Sequence, residues 1–466
     1  MTSRYSLVKC WIAFIALLPA IPCGALAAED EALAADVAQT YILATGRRLP
    51  FLYAISLGDA VNPGNNLTAN AIVSRSKVAL DRLDGRPLGD PANLVVSEDG
   101  RTVYVVNHHG SIDNSEFGQH GGRGQIAVLD VDAVLDPRND KTHSALQRHL
   151  DSGGFGAVGA MLLLDMIVIA NAENNLTEDG GNRVTFVDRR TGSLRGTVEL
   201  ALGSPGFECD YPVPYLSPYG PPRNLAVLAP DPGWGCFPDP NGLALGLSSN
   251  GNAYLFTANG GTNDVSVIDL ARALQGDRLA EIGRVPNQRA AWGMAATPDK
   301  RHIIVASGGS QKDDWVGNTI SIINVDRAAA DADNAEVARI RVGTDDPEEP
   351  TYPLILSVTP DGREVIVPNL LADNVSVVNL ELALAGNPDA EVARIPLTRA
   401  DGRQARPKGS AVTSDGKYAV ISGGPGAQPF SQEIGYVYII DLESRSVVGT
   451  VTGVGNDPYG LATVDR

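Results

Sequence analysis

Three of the six histidines in this 466-residue chain fall within one short stretch, Asn107–Gly124, together with two carboxylates. His108, His109, His120, Asp113 and Glu116 offer imidazole and carboxylate groups of the kind that bind zinc, copper or iron. Gly110, Gly118, Gly121 and Gly122 would let such a loop fold back on itself. A divalent metal is the one cofactor suggested here, although the spacing follows no established ligand signature. On an extended backbone His108 and His109 point in opposite directions, so only one of them can face a common site. The ordinary alternative is a polar loop whose histidines bond to backbone.

Other candidate groups lie scattered along the chain. Arg289, Arg406 and Lys408 suit a carboxylate or phosphate, and Trp292, Trp315 and Tyr352 suit stacking on a ring. Glu173 suits a cation or a proton-transfer role. Each, taken singly, reads more simply as a solvated loop charge or a packing aromatic, and what raises the set above its parts is convergence on one face. The sequence contains no Ser-His-Asp elbow, phosphate loop or haem-attachment motif.

The elements that must position these groups come from a repeat. An apolar run, an Asp-Gly turn, a second run ending near Asn and a third of the form Val-Ser-Val-Ile-Asp recur in order. The third runs end at Asp130, Asp188, Asp269, Asn324, Asn379 and Asp441, spaced by 58, 81, 55, 55 and 62 residues. Alternation in steps of two, Val and Ile enrichment and Gly/Asn/Asp/Pro punctuation predict short antiparallel strands. Units of this length bury both faces only by stacking on their neighbours. The expected fold is therefore all-β: a seven-bladed propeller of four-stranded antiparallel blades. Six units start near Pro91, Val158, Gly242, Ala291, Leu354 and Gly409. The seventh is split, with a C-terminal strand after Asn456 joined by the N-terminal runs Phe51–Leu57 and Ala71–Leu80. Connections between second and third strands, and between successive blades, emerge together on one face. They are long and varied, so that face is where a site is expected.

The forms Val103-Tyr-Val-Val-Asn107 and Val265-Ser-Val-Ile-Asp269 resemble the YVTN-type bacterial propeller repeats, over nearly the whole mature chain. The resemblance implies a propeller. It leaves function open, because similar propellers include lactonases, the haem d1 domain of nitrite reductases and the heavy subunit of methylamine dehydrogenase. Three readings follow: a binding or scaffold protein for a small ligand or a periplasmic protein partner, a metal-assisted lactonase or related hydrolase, and a non-cofactor subunit of a periplasmic redox system.

Composition adds a compartment. Arg4 and Lys9 precede an apolar stretch, Trp11–Leu18, and the small residues Ala25 and Ala27, so residues 1–27 read as a secretory signal and 28–466 as one domain. No transmembrane segment is expected, and the protein is expected to be periplasmic or secreted. Loss of the two leader cations takes the formal net charge from −18 to −20, which disfavours nucleic acid as a partner. Cys209 and Cys236, inside a Pro/Gly-rich insertion at 204–242, form an even pair in an oxidising compartment, and a disulfide between them is expected.

Overall fold

Each repeat is nucleated by a locally satisfied turn. In the unit around residue 360 the Thr359 hydroxyl donates to Asp361 Oδ1 at 2.6 Å, the same oxygen accepts from Arg363 N at 3.0 Å, and Gly362 takes the left-handed conformation at φ +74°. Thr413, Asp415 and Gly416 repeat this geometry. The third run ends in an N-cap: Asp130, Asp269, Asn324 and Asn379 each accept a hydrogen bond from the backbone N–H three residues on. That cap starts a one-turn helix, a feature the period-two pattern did not disclose. The helices bury their first and fourth residues, such as Leu270 and Ala273 or Leu380 and Ala383.

The computed structural model describes residues 39–47, 49–79, 90–108, 123–173, 181–201, 238–287, 290–309, 316–399, 401–424 and 433–466. Within Gln39–Arg466 the described chain forms antiparallel sheets. Four are four-stranded hairpin ladders: Pro240–Leu247 to Glu281–Pro286, Ala291–Ala296 to Glu336–Arg341, Ser357–Val358 to Glu391–Pro396, and Pro407–Val412 to Ser446–Thr452. A fifth four-stranded sheet joins the two ends of the chain, in the order Leu461–Asp465, Thr40–Thr45, Phe51–Ser56, Ile72–Lys77. Thr40 there pairs with Asp465. Thr40–Thr45 is an additional strand beyond the two N-terminal runs picked out by hydropathy.

The units expected to start near Pro91 and Val158 are not separate sheets. They form one seven-stranded sheet, because Leu146–Leu163 runs as a single 18-residue strand. Its first half pairs with Arg123–Asp130, and its second, from Phe155, pairs with Met166–Glu173. Glycine makes this continuity possible: Gly153 and Gly156 have positive φ, and a Cβ on Gly154 would stand 2.4 Å from the Asn171 side chain.

The apolar core is divided into layers between neighbouring sheets. Phe256, Val265 and Val267 pack on Ile303, Val305 and Ile323 of the next sheet, and Ile304, Ile320 and Ile322 pack in turn on Val365, Val367 and Val378. Leu43 and Leu52 of the terminal sheet meet Val103 and Val105 in the same way. The first strands lie against one another in chain order, and Leu461–Asp465 also touches Pro91–Val96. Their approach depends on glycine: a Cβ on Gly159 would sit 1.9 Å from the carbonyl oxygen of Asn241, and one on Gly409 would sit 1.8 Å from that of Tyr459.

Two sheets carry the same buried polar column. Asn259 Nδ2 donates to Asp264 Oδ1 and Ser266 Oγ, both at 2.7 Å, and Ser266 Oγ donates to Glu281 at 2.6 Å, which Arg284 also binds. Two sheets further along the chain, Asn369, Asn374, Ser376, Glu391 and Arg394 repeat it. Burial pushes the Asp264 carboxyl up, against the opposing pull of Arg284, and the equivalent position holds the neutral Asn374.

Candidate functional site

A three-residue pattern at or just before the start of the first strands positions the candidate site. Asp90-Pro91-Ala92, Asp239-Pro240-Asn241, Arg406-Pro407-Lys408 and Asp457-Pro458-Tyr459 occupy matching places, and Ala290-Ala291-Trp292 and Tyr352-Pro353-Leu354 complete the series. The leading residue is left-handed in Asp239, Ala290, Tyr352 and Arg406, at φ 47 to 54°. Such a conformation costs a non-glycine residue about 1 kcal/mol or more and persists where its surroundings fix it. Here a turn of the preceding sheet, between its second and third strands, does so: Asp373 Oδ1 accepts from Arg406 N at 2.9 Å and Asn263 Oδ1 from Ala290 N at 2.7 Å.

Two buried ion pairs result. Lys408 Nζ lies 2.6 Å from Asp457 Oδ1 with both side chains almost wholly buried, and it donates to the carbonyls of Gly424 at 3.0 Å and Arg406 at 3.3 Å. Burial holds the Lys408 ammonium below the usual lysine range, with Asp457 pulling the other way. Arg47 Nε lies 3.5 Å from Asp90 Oδ2, and its guanidinium stands 4.3 Å above the ring of Tyr459. A cavity of about 120 Å³ opens beside this group, lined among others by Arg47, Asn93, Asn241, Trp292, Met294 and Tyr459. Trp292 also joins Leu354 and Leu370 in a small apolar cluster distinct from the inter-sheet layers, against which Tyr352 and Tyr459 pack.

The residues expected at a site divide three ways. Trp292, Tyr352, Arg406 and Lys408 converge around the inner strands. Arg289, Trp315, His109, Asp113, Glu116, His120, Cys209 and Cys236 lie outside the described residues, as does the Glu173 side chain, whose backbone closes the strand Met166–Glu173. His108 is buried: its N–H donates to Asp90 O at 2.8 Å and its Nδ1 lies 3.1 Å from Ala157 O. It thereby braces the Asp90 end of the Arg47 pair. Among the described residues no three His, Cys, Asp or Glu side chains gather as metal ligands, and no Ser, Cys, His or carboxylate lines the cavity.

Arg47, Asp90 and Asn241 were not singled out from sequence. The recurrent charged-residue–Pro step was the available signal for Asp90, Asp239, Arg406 and Asp457. Arg47 had none, because it sits in a turn, within Gly46–Pro50, that belongs to no complete repeat.

No family model and no curated protein sequence matches the chain. Among solved structures, the periplasmic gluconolactonase PpgL of Pseudomonas aeruginosa is similar over 91% of this chain and 99% of its own, at 15% identity and a TM-score of 0.58. A candidate 6-phosphogluconolactonase from Bacteroides fragilis is similar over 93% of this chain and 99% of its own, at 14% identity and 0.55. A protein of unknown function from Desulfotomaculum acetoxidans is similar over 91% and 98%, at 13% identity and 0.53. At such identities the likeness is one of fold, and the chain shares the β-propeller architecture of these proteins.

Proposed function

We propose that the protein is a periplasmic or secreted propeller of seven blades that binds a small cyclic ligand at its centre. The blade count rests on reading the seven-stranded sheet as two blades sharing the strand Leu146–Leu163, and the terminal sheet as the blade that closes the ring. Its repeats are taken as YVTN-type, on the residues that carry the resemblance. The observation that carries the functional reading is the cavity lined by Arg47, Tyr459 and Trp292: it holds a cation stacked on one aromatic with a second aromatic on its lining, and the charges beside it are already paired. A cavity of ~150 Å³ holds benzene, so this smaller one would take only a small ligand or one part of it. No helix among the described residues is long and apolar enough to cross a membrane.

Lactone hydrolysis is the second reading, favoured by the two similar structures that bear lactonase names. Its reacting groups would have to come from residues outside those described, with 109–122 the first candidates, and a metal held by His109, Asp113, Glu116 or His120 would supply Lewis-acid chemistry. No described residue favours a protein partner or a redox subunit over a small ligand. Calorimetric titration with a panel of lactones and their open hydroxy acids tests the binding reading: saturable heat in wild type and its loss in Trp292→Ala are expected, and no heat from any member overturns it. Titration of released acid at constant pH, with elemental analysis of the same sample, tests hydrolysis. Unchanged lactone overturns the second reading alone.

A further inference from the structure

The four one-turn helices with an Asp or Asn cap are built alike, but the residue paired with each cap across the strands differs. Thr102 is paired with Asp130, Tyr254 with Asp269, His302 with Asn324 and Glu364 with Asn379. Of these only His302 changes charge near neutral pH. Its contact also has a fixed direction. Asn324 Oδ1 accepts from Arg327 N at 3.0 Å as the N-cap of Val325–Ala330, so the side-chain amide turns its NH2 toward His302 Nε2, 3.3 Å away. An NH2 group only donates, so Nε2 is the bare acceptor and the single ring proton sits on Nδ1.

The capped helix ties two sheets together. Asp326 Oδ1 accepts from Ser249 N at 2.6 Å and from Ser249 Oγ at 3.0 Å, and Val325 and Ala328 are buried in the layer with Phe256 and Val267 of the preceding sheet. We infer that His302 is a proton-sensitive latch on this tie: a proton taken up at Nε2 sets donor against donor, breaks the Asn324 contact and loosens the capped end of the helix that holds Ser249. The imidazole is half-buried and lines an open groove, so protons reach it from solvent. The charged groups around it are Asp299, Lys300 and Arg301 on its own turn, Asp361, Arg363 and Glu381 of the following sheet, which line the same groove, and Asp326 and Arg327 on the helix. Burial holds the ring below the usual histidine value, with Asp299 pulling the other way. The unfolded chain therefore takes the proton first. The stabilising contribution is complete above about pH 6.5 and is lost as pH falls through the folded value.

The test compares the full chain at pH 7.5 and 5.5. The His302 ring signal, assigned by its absence in His302→Gln, is followed by NMR, and amide exchange of 319–331 is followed by mass spectrometry with correction for the intrinsic rate. His302 should titrate below about 6.5. Exchange in 319–331 should quicken by up to about fivefold at pH 5.5, the population change that loss of one N-cap brings. His302→Gln, whose amide oxygen accepts from Asn324 at either pH, should show no quickening. Asn324→Asp keeps a cap of the kind Asp130 and Asp269 provide and gives the protonated ring an acceptor, so it should move the titration upward and slow exchange at acid pH. Wild-type exchange that is equal at the two pH values, or that quickens equally in His302→Gln, overturns the latch, and so does a titration that Asn324→Asp leaves in place.

Discussion

Replacing Asp457 by Asn keeps the shape of the side chain and removes its charge, leaving the Lys408 ammonium buried with only carbonyl and amide oxygens around it. The contact is 2.6 Å, and the two side chains are 3% and 7% exposed, so water does not replace the lost partner. Breaking such a pair from one side costs about 3–5 kcal/mol. With an unfolding entropy of about 2.1 cal/mol/K per residue, a domain of this size carries roughly 0.9 kcal/mol/K in total, and the melting temperature should fall by about 3–6 °C. Adding Lys408→Met in the same background removes the stranded charge and should restore most of the loss, because an apolar pair often substitutes for a buried ionic one at little net cost. The pH dependence has a definite sign. Lys408 is depressed in the folded state by burial, so between its folded value and the unfolded value near 10.4 the unfolded chain holds more protons, and wild-type stability gains a rising contribution with pH across that window. Lys408→Met lacks that contribution. Scanning calorimetry of the four proteins across pH 7–10 reads all of this; an Asp457→Asn variant that melts within 1 °C of wild type, or a double variant no better than the single, refutes the reasoning.

Asp264→Asn converts one buried polar column into the form its counterpart already has with Asn374. Because burial raises the Asp264 carboxyl, its contribution is fully present below the unfolded value near 3.9 and is lost as pH rises through the folded value. Urea midpoints should therefore converge between variant and wild type at acid pH and favour the variant, or match, at pH 7. Gly409→Ala should lower the urea midpoint sharply, by the equivalent of about 2 kcal/mol or more, since its methyl would overlap Tyr459 O and force the strands Pro407–Val412 and Leu461–Asp465 apart. Mass measurement after alkylation of unreduced, unfolded mature protein should find no free thiol at Cys209 and Cys236; uptake of two alkyl groups rejects that bridge.

Repetition made the sheets legible, because each strand needs only its own alternation and its turn residues to declare itself. The Thr359–Gly362 and Thr413–Gly416 turns and the buried third runs follow directly from the residues that spell them. The continuous strand Leu146–Leu163 was not legible, since Gly153, Gly154 and Gly156 signal a turn in any local reading, whereas here Gly153 and Gly154 are needed for close packing on Thr185 and Asn171 and Gly156 for its positive φ. The one-turn helices were hidden for a related reason: five residues show no helical period, and only the capping Asp or Asn marks them. At the centre, Trp292 and Lys408 were recognisable as isolated chemistry. Their partners were not, because Arg47, Asp90 and Asp457 are brought together from parts of the chain separated by up to 410 residues. His108 shows the opposite case, a residue with the right chemistry for a ligand whose Nδ1 lies within hydrogen-bond reach of Ala157 O.

The pairing of Thr40–Thr45 with Leu461–Asp465 also sets a clock on biosynthesis. A strand made among the first of this domain waits for one made among the last, a separation of 425 residues between Thr40 and Asp465. At chain-elongation rates of about 5–20 residues per second the wait is roughly 20 to 85 s. Throughout that interval the Thr40–Thr45 edge is a hairpin flank with unpaired backbone groups, able to recruit a strand from another nascent copy. Yield should therefore respond to whatever shields that edge before the final residues emerge, such as a holdase or slower initiation that keeps neighbouring chains apart, more than to the thermodynamic stability of the finished fold.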